Sequence, residues 1–296
     1  MRTMGRVMAT VVVGACAAHG WWGQSHAVLT RAAMRVLPAE MPGFFRSGAM
    51  SVAHMSVDPD VVKNKAVPAA RESEYPEHYL DLEMLGGRQL PRTRFEFVKL
   101  CCDLGLGPEK VGMLPYAICE WTERLAVAFA EHRKWPDNAA VRSKCLVYAG
   151  PLAHYCGDLC QPLHLTVDYD GRAKPDGTSP RSGIHEKVDG LIENLGARPE
   201  AIAQSLSPVA VDTVWPFVMA EIARSHALID TLYAMEQRLP PVKGTKPSAD
   251  VAAFAMERAR RAAAVIAGLY LYAWHLSARI EMEDWLDRKA MDGPVK

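Results

Sequence analysis

Apolar residues recur at helical spacing along most of the chain. Between residues 25 and 37 they fall three and four positions apart, a spacing that places side chains on one face of an α-helix. Two prolines, Pro38 and Pro42, follow this segment and predict its end. Similar patterns predict further helices over 93–102, 108–132, 141–162, 184–195, 209–238 and 249–288.

The intervening segments are predicted to be irregular. Residues 166–183 are rich in Gly, Pro and Asp, which predicts a loop, and 68–76 is also expected to be a loop. Residues 78–82 alternate weakly and suggest a short extended stretch. Strand signals are otherwise sparse, and no repeat of 20–50 residues is visible. The predicted fold is therefore all-α, a single-domain helical bundle with long loops.

Composition narrows the class of protein only a little. The chain has 296 residues, 49% of them hydrophobic, and a formal net charge of zero. A neutral chain argues against a strongly basic nucleic-acid footprint and against a polybasic membrane anchor. It does not exclude a nuclease, because bound metal ions can supply the positive charge.

The first twenty residues resemble a targeting segment. They combine a basic start, an apolar run too short to span a bilayer, and small residues before Trp21. Cleavage before Trp21 would give a secreted or periplasmic protein, with 1–20 as signal peptide and 21–296 as the mature domain. Two alternatives stay open, a lipoprotein cleavage site at Cys16 and an uncleaved anchor.

Export also affects what is expected of the cysteines. An even number of cysteines remains after cleavage, which allows up to three disulfides in an oxidising compartment. Free buried thiols, or metal binding by the two cysteines that flank Asp158, are the alternatives. The six residues are Cys101, Cys102, Cys119, Cys145, Cys156 and Cys160.

One motif carries the strongest chemical signal. His154, Asp158 and His164 follow the pattern H-x-x-x-D-x-x-x-x-x-H. The first two are four residues apart and share one face of a helix. Pro162 limits that helix, because the residue before a proline is pushed out of the α region, so His164 is expected at the helix exit. Two imidazoles and a carboxylate at such a bend predict a site for a first-row transition metal.

Other potential ligands surround this motif in the sequence. His185 and Asp189 again lie four residues apart, and His26 follows Trp21 by five residues. His78 precedes Tyr79 and Asp81. Asp58 and Asp60 flank Pro59 near the predicted start of a short helix.

Taken together, these motifs resemble the superfamily of zinc-dependent phospholipase C and the single-strand-specific fungal nucleases. The resemblance runs from about Trp21 to Asp189, and the remaining third of the chain matches only in being helical. It implies an all-helical protein that holds three zinc ions, one of them bound by the amino group and carbonyl of an N-terminal Trp.

The resemblance also implies a role for each matching residue. The first zinc would take Asp60, His78, His154 and Asp158; the second would take His164, His185 and Asp189; the third would take Trp21 and His26, with Asp158 bridging. Asp58 remains an alternative to Asp60. Asp60 and Lys63 keep the spacing at which the nucleases carry Asp and a phosphate-holding Arg, but Lys cannot contact phosphate bidentately.

The expected function is a secreted phosphodiesterase with three zinc ions and no obligate protein partner. Single-stranded DNA or RNA is favoured as substrate, with Tyr79 stacking on a base and Asp81 accepting a hydrogen bond from the edge of a base. Tyr79 could equally be a packing residue and Asp81 a helix cap. The alternatives are a phospholipase C that acts on phospholipids, and a zinc-binding protein without catalysis.

Overall fold

The computed structural model describes residues 21–241 and 244–291. Within these ranges the chain is helical, and no β-strand forms beyond an isolated bridge between Tyr169 and Gly171. The α-helices are α1 (Gly23–Arg35), α2 (Gly43–Ser47), α3 (Ala49–Met55), α4 (Asp58–Val62), α5 (Pro68–Glu74), α6 (Arg94–Asp103), α7 (Pro108–Val111), α8 (Leu114–Lys134), α9 (Ala139–Leu159), α10 (Ile184–Asp189), α11 (Leu191–Leu195), α12 (Pro199–Ala203), α13 (Val214–His226), α14 (Ile229–Tyr233), α15 (Ala249–Ser277) and α16 (Arg288–Met291). Short 3-10 helices cover Tyr75–His78, Leu82–Leu85, Pro162–Leu165 and Glu236–Arg238.

Helix α9 lies at the centre of the bundle. It begins where the side chain of Asn138 accepts a hydrogen bond from Val141 N, a standard N-cap. It then packs against α1, α3, α8 and α15, and its last turns are buried. The helix ends at Leu159, and Pro162 starts a 3-10 turn. The predicted helix with a bend before Pro162 is therefore confirmed.

The longest helices supply most of the core around α9. Helices α8 and α15 pack on each other and on α9, and α1 packs on α15. One continuous apolar cluster includes Trp21, Phe45, Phe129 and Tyr270. The predicted all-α fold with a single domain is confirmed. The predicted signal peptide and the lipoprotein site at Cys16 lie outside the described residues.

The expected loop at 68–76 is wrong. Residues Pro68–Glu74 form α5, and Tyr75–His78 continue as a 3-10 helix. Pro68 occupies the first helical position, where its fixed φ is suitable and its missing N–H costs nothing. The following Ala-Ala-Arg-Glu sequence consists of good helix formers. The expected extended stretch at 78–82 is reduced to Tyr79, with φ −149° and ψ 170°.

The two long helices expected in the last third are shorter than predicted. The segment 209–238 divides into α13, α14 and a 3-10 helix, and α15 ends at Ser277 rather than near residue 288. The predicted loop at 166–183 contains no helix. No helix in the described ranges combines the length and the apolar character that a membrane span needs.

The predicted disulfides are not formed. All six cysteines among the described residues have free thiols, and four of them are buried: Cys101, Cys145, Cys156 and Cys160. These four lie in the apolar core, where a thiol packs as a small hydrophobic group. The structure therefore shows the alternative of free buried thiols.

Candidate metal centre

The buried face of α9 presents His154 and Asp158 one turn apart. Both side chains are fully inaccessible to solvent, and His154 Nε2 lies 3.3 Å from Asp158 Oδ2. Neighbouring helices surround α9, and its last turns are buried. A buried carboxylate next to an imidazole is costly unless further partners or a metal ion compensate.

Asp60 and His78 complete a first group around His154. Asp60 Oδ1 lies 3.9 Å from His154 Nε2 and 4.0 Å from His78 Nδ1. His78 Nδ1 is also 3.0 Å from His154 Nε2 and 3.1 Å from Asp158 Oδ2. Asp58 points to solvent and belongs to no candidate group in the described ranges. The fold therefore brings Asp60, not Asp58, to this group.

His164, His185 and Asp189 form a second group. His185 Nε2 lies 3.2 Å from Asp189 Oδ2, and the rings of His164 and His185 stack with centroids 5.0 Å apart. Gly183 precedes α10 with φ of 81°, a left-handed conformation that favours glycine. Asp170 Oδ1 accepts a hydrogen bond from Gly183 N at 2.7 Å. This turn places His185 in the first turn of α10, facing His164.

His26 and Asp158 form a third group with His154. His26 Nε2 lies 3.4 Å from Asp158 Oδ1, and its ring stacks on that of His154 at 3.9 Å. Trp21 is buried beside them and donates from Nε1 to the carbonyl of Gly157 at 2.9 Å. A Cβ added at Gly157 would approach His26 Nδ1 to 2.9 Å, so only glycine leaves room for this imidazole.

Several of these ligand atoms are buried and have no hydrogen-bond partner. Burial without a partner costs about 1–3 kcal/mol for a neutral polar group, and more for a charged one. So many such atoms at one place are unusual for a folded protein, and a bound cation would satisfy them. The atoms are His26 Nδ1 and Nε2, Asp158 Oδ1, His164 Nε2 and His185 Nε2.

Backbone carbonyls orient three of the imidazoles. Nδ1 of His154 donates to Ser56 O at 2.8 Å, and Nδ1 of His164 donates to His78 O at 2.7 Å. Nδ1 of His185 donates to Tyr169 O at 3.1 Å. In each ring the proton on Nδ1 leaves the lone pair on Nε2, and Nε2 is the atom that faces the ligand group. Metal-binding histidines in proteins usually have such a partner.

Burial also sets the charge of the site. It lowers the pKa of His26 and His164 to about 4, and it lowers the pKa of His78 and His154 as well. Burial raises the pKa of Asp158 to about 6. These imidazoles are therefore neutral at pH 7, the form in which histidine binds a metal ion.

Asp60 and His185 depart from this pattern because each has a charged neighbour. Burial alone would raise the pKa of Asp60, but His154 and Lys63 outweigh it and hold the pKa below its usual range. Burial would lower the pKa of His185, but Asp189 outweighs it and raises the pKa to about 9. A metal ion held by His185 and Asp189 would need Nε2 of His185 without a proton, so binding would release a proton from this imidazole.

A cavity of about 240 Å³ opens beside the ligand groups. Its walls include Tyr79 and Asp81, and burial raises the pKa of Asp81 to about 8. The hydroxyl of Tyr79 donates to Glu109 O at 2.5 Å, and its ring meets that of Tyr75 edge-on. The complete lining is Tyr75, His78, Tyr79, Asp81, Lys110, Leu163, His164, Tyr169 and His185.

Lys63 lies at the edge of the first group. Its Nζ is 2.6 Å from Asp60 Oδ1, and the side chain is almost completely buried. Its ammonium also lies 5.9 Å from the centre of the Tyr75 ring, which lines the cavity. Lys63 thus places a positive charge beside the first ligand group.

The fold brings all the predicted ligand side chains into one cluster, with Trp21 packed against it. Several supporting residues were not anticipated from the sequence. Glu74 precedes His78 by four residues, and Tyr155 lies inside the central motif, so spacing alone could have indicated both. Gln161 donates from Nε2 to Asp189 Oδ1 at 2.8 Å, a link that no local pattern indicates.

Comparison with known proteins gives structural relatives only. No protein-family model matches the chain, and no curated protein sequence does. Among solved structures it is similar to alpha-toxin from Clostridium absonum, at 15% identity and a TM-score of 0.46, over 90% of this chain and 67% of the toxin chain. It is also similar to an alpha-toxin of Clostridium perfringens from avian strain SWCP, at 14% identity and a TM-score of 0.40, over 88% and 65% of the two chains.

The chain thus spans about two thirds of the length of these toxins. At such low identity, the chemistry of this chain has to be inferred from its own residues.

Proposed function

We propose that the chain is a zinc-dependent phosphodiester hydrolase that uses three zinc ions. The proposal rests on one observation: three His/Asp groups lie side by side, and within each group the ligand atoms are within 4.8 Å of one another. His154 belongs to two of these groups, and Asp158 contacts His26, His78 and His164. The groups therefore form one continuous cluster rather than three separate sites.

The proposed ligands are those that the motifs indicate. In this arrangement Asp158 would be shared by the first and third ions, and the amino group of Trp21 would be available only if the chain is cleaved before it. We therefore also propose export and cleavage. The ligands of the first ion are Asp60, His78, His154 and Asp158, those of the second are His164, His185 and Asp189, and those of the third are Trp21, His26 and Asp158.

Imidazole nitrogens and carboxylate oxygens suit zinc, and no thiol belongs to a candidate group in the described ranges. Zinc ions in such a site would supply positive charge to the phosphate and lower the pKa of an attacking water. The chain contributes the geometry. Burial holds the imidazoles of His26, His78, His154 and His164 neutral. Backbone carbonyls orient two of these four and also His185, and Lys63 adds an ammonium group beside Asp60.

The cavity favours an enzyme over a zinc-binding protein without catalysis. His78, His164 and His185 all form part of its wall. Structural zinc sites are closed by four protein ligands, whereas catalytic sites keep a position that substrate can reach. Ligands that line an open cavity are typical of the second kind.

Single-stranded nucleic acid is our first choice of substrate. Tyr79 and Asp81 share the cavity, which suits a base that stacks on an aromatic ring and hydrogen-bonds through its edge. Because the pKa of Asp81 is raised to about 8, its carboxyl group holds a proton at pH 7 and can donate as well as accept. Base recognition needs both kinds of hydrogen bond.

Phospholipid is the second candidate, and a different observation favours it. Val61 is 64% exposed and Val67 is 48% exposed, although both are apolar. They flank Lys63 in the sequence, next to the first ligand group. Exposed apolar side chains beside a site suit contact with a lipid surface. The clostridial alpha-toxins resemble the chain in structure but are too distant to decide between the two substrates.

Metal analysis and two substrates test the proposal. The exported protein should contain three zinc ions per chain, and a chelator should remove both the zinc and the activity. Denatured DNA and phosphatidylcholine vesicles should be offered under identical conditions. Hydrolysis of DNA supports the first choice, whereas hydrolysis of lipid alone would replace it with the phospholipase. Fewer than two zinc ions per chain, or three zinc ions without activity on either substrate, would contradict the proposed enzyme.

A further inference from the structure

His78 differs from the other imidazoles in the atom that faces the ligand group. Its Nδ1 lies 3.0 Å from His154 Nε2 and 3.1 Å from Asp158 Oδ2. The corresponding atom of His154, His164 and His185 donates to a backbone carbonyl instead. His78 therefore needs its lone pair on Nδ1 and its proton on Nε2, the opposite of the others.

The environment of Nε2 contains a carboxylate that meets this need. Glu74 Oε1 lies 3.6 Å from His78 Nε2, one helical turn earlier in the chain. This separation is just longer than a hydrogen bond, and Nε2 is buried with no other partner. Glu74 belongs to no candidate metal group in the described ranges, so it faces the ring from the side away from the cluster.

Tyr155 holds Glu74 in this position. Its hydroxyl donates to Glu74 Oε1, the same oxygen that faces His78. The ring of Tyr155 is 2% exposed and meets the ring of His78 edge-on, with centroids 5.6 Å apart. Since Tyr155 follows His154 on the central helix, the chain Tyr155–Glu74–His78 joins that helix to the ligand group.

We propose that Glu74, fixed by Tyr155, is a positioning residue that holds the proton of His78 on Nε2 and so directs Nδ1 toward zinc. The proposal rests on the zinc site proposed above and adds two residues to it. Neither residue lines the cavity. Both act through His78, as carboxylates behind metal-binding histidines generally do.

Zinc affinity of the full exported chain tests this role. Glu74→Gln keeps the size of the side chain but removes the carboxylate, and we expect zinc binding at the first site to weaken by about 10–100-fold. Tyr155→Phe should weaken it less. The double variant should lose no more than Glu74→Gln alone, because Tyr155 acts through Glu74. Glu72→Gln is the matched control, since Glu72 lies on the same helix and is exposed.

Two further measurements separate positioning from a structural role. The zinc-free Glu74→Gln variant should unfold at the same temperature as the zinc-free parent, whereas the rise in unfolding temperature on adding zinc should be smaller. Nitrogen NMR of the imidazoles should show His78 with its proton on Nε2 in the zinc-loaded parent. A proton on Nδ1 would overturn the proposal.

Zinc binding by the parent protein and by Glu74→Gln separates a failure of the proposed zinc site from a failure of the proposed role of Glu74. If the parent protein binds no zinc, the proposed function fails and this role fails with it. If the parent binds three zinc ions and Glu74→Gln binds them with equal affinity, the zinc site stands and the role of Glu74 is wrong.

Discussion

The carboxylate of Asp158 faces His26 with one oxygen, at 3.4 Å from Nε2, and faces His154 with the other, at 3.3 Å. Asp158 therefore has an oxygen for each of two neighbouring ligand groups. An imidazole with its proton on Nδ1 has one lone pair, on Nε2, and can bind one ion. This difference makes Asp158 the residue that couples the proposed sites.

We expect Asp158→Ala to lose two zinc ions and His154→Ala to lose one. Asp158 supplies two oxygens to two groups, whereas His154 supplies one nitrogen. Zinc content of both purified variants, measured by elemental analysis, checks this difference. Circular dichroism of each variant serves as the control for folding. Equal zinc loss in the two variants would show that Asp158 does not bridge.

The chain terminus should matter to the third site alone. A protein that begins with one extra alanine before Trp21 converts the proposed amine ligand into an amide. It should therefore keep two zinc ions and lose the third. The indole of Trp21 should stay in place, because Nε1 donates to Gly157 O. A version that begins at Trp21 is the control, and three zinc ions in the extended protein would contradict the amine ligand.

Gly157→Ala should disturb His26 without reaching the other groups. The added Cβ would lie 2.9 Å from His26 Nδ1 and 3.1 Å from His26 Cε1, so the ring has to shift. We expect the free energy of unfolding to decrease by about 1–3 kcal/mol, as it does for overpacked cores. We also expect the variant to lose one zinc ion. Gly43→Ala is the matched control, because nothing lies within 4 Å of an added Cβ there. Unchanged zinc content in Gly157→Ala would refute the close fit.

Lys63 should contribute to catalysis through its positive charge. Lys63→Met should lower kcat/KM by about 10–100-fold, the effect of losing about 1.5–3 kcal/mol from a hydrogen bond to a charged group. Lys63→Arg should keep most of the activity, because a guanidinium also binds phosphate. Lys99→Met, on an exposed surface, is the control. Full activity in Lys63→Met would exclude a contact between Lys63 and substrate.

Acid should destabilise the zinc-free protein. The pKa of His26 and His164 falls from 6.5 in the unfolded chain to about 4 in the folded one, because of burial. Between these pH values the unfolded chain binds more protons, so the free energy of unfolding decreases as the pH falls.

Asp158 opposes this effect. Burial raises its pKa from 3.8 to about 6, so it takes up a proton more readily in the folded chain as the pH falls below 6. Asp81, whose pKa burial raises to about 8, opposes the effect in the same direction as Asp158. Four histidines outnumber these two carboxyl groups, since the pKa values of His78 and His154 are lowered as well. Urea unfolding of chelator-treated protein should therefore show a lower midpoint at pH 5 than at pH 7. A midpoint that is equal or higher at pH 5 would contradict this balance.

The sequence by itself determined the helical fold and the ligand types. Apolar spacing predicted α1, α8, α9 and the first part of α15, because core-facing residues of a helix have to recur every three to four positions. The spacing of His154, Asp158 and His164 around Pro162 predicted a helix with a ligand at its exit. Both signals are local, so they can be seen without knowing the fold.

Only the tertiary structure decided which distant residues meet. The choice of Asp60 over Asp58 depends on where α4 packs against α9, and the sequence leaves it open. The link from Tyr155 to Glu74 also escaped the sequence patterns. The hydrogen bond between Tyr155 and Glu74 joins segments about 80 residues apart. Such contacts leave no periodic trace in the chain, because packing fixes them and local propensity does not.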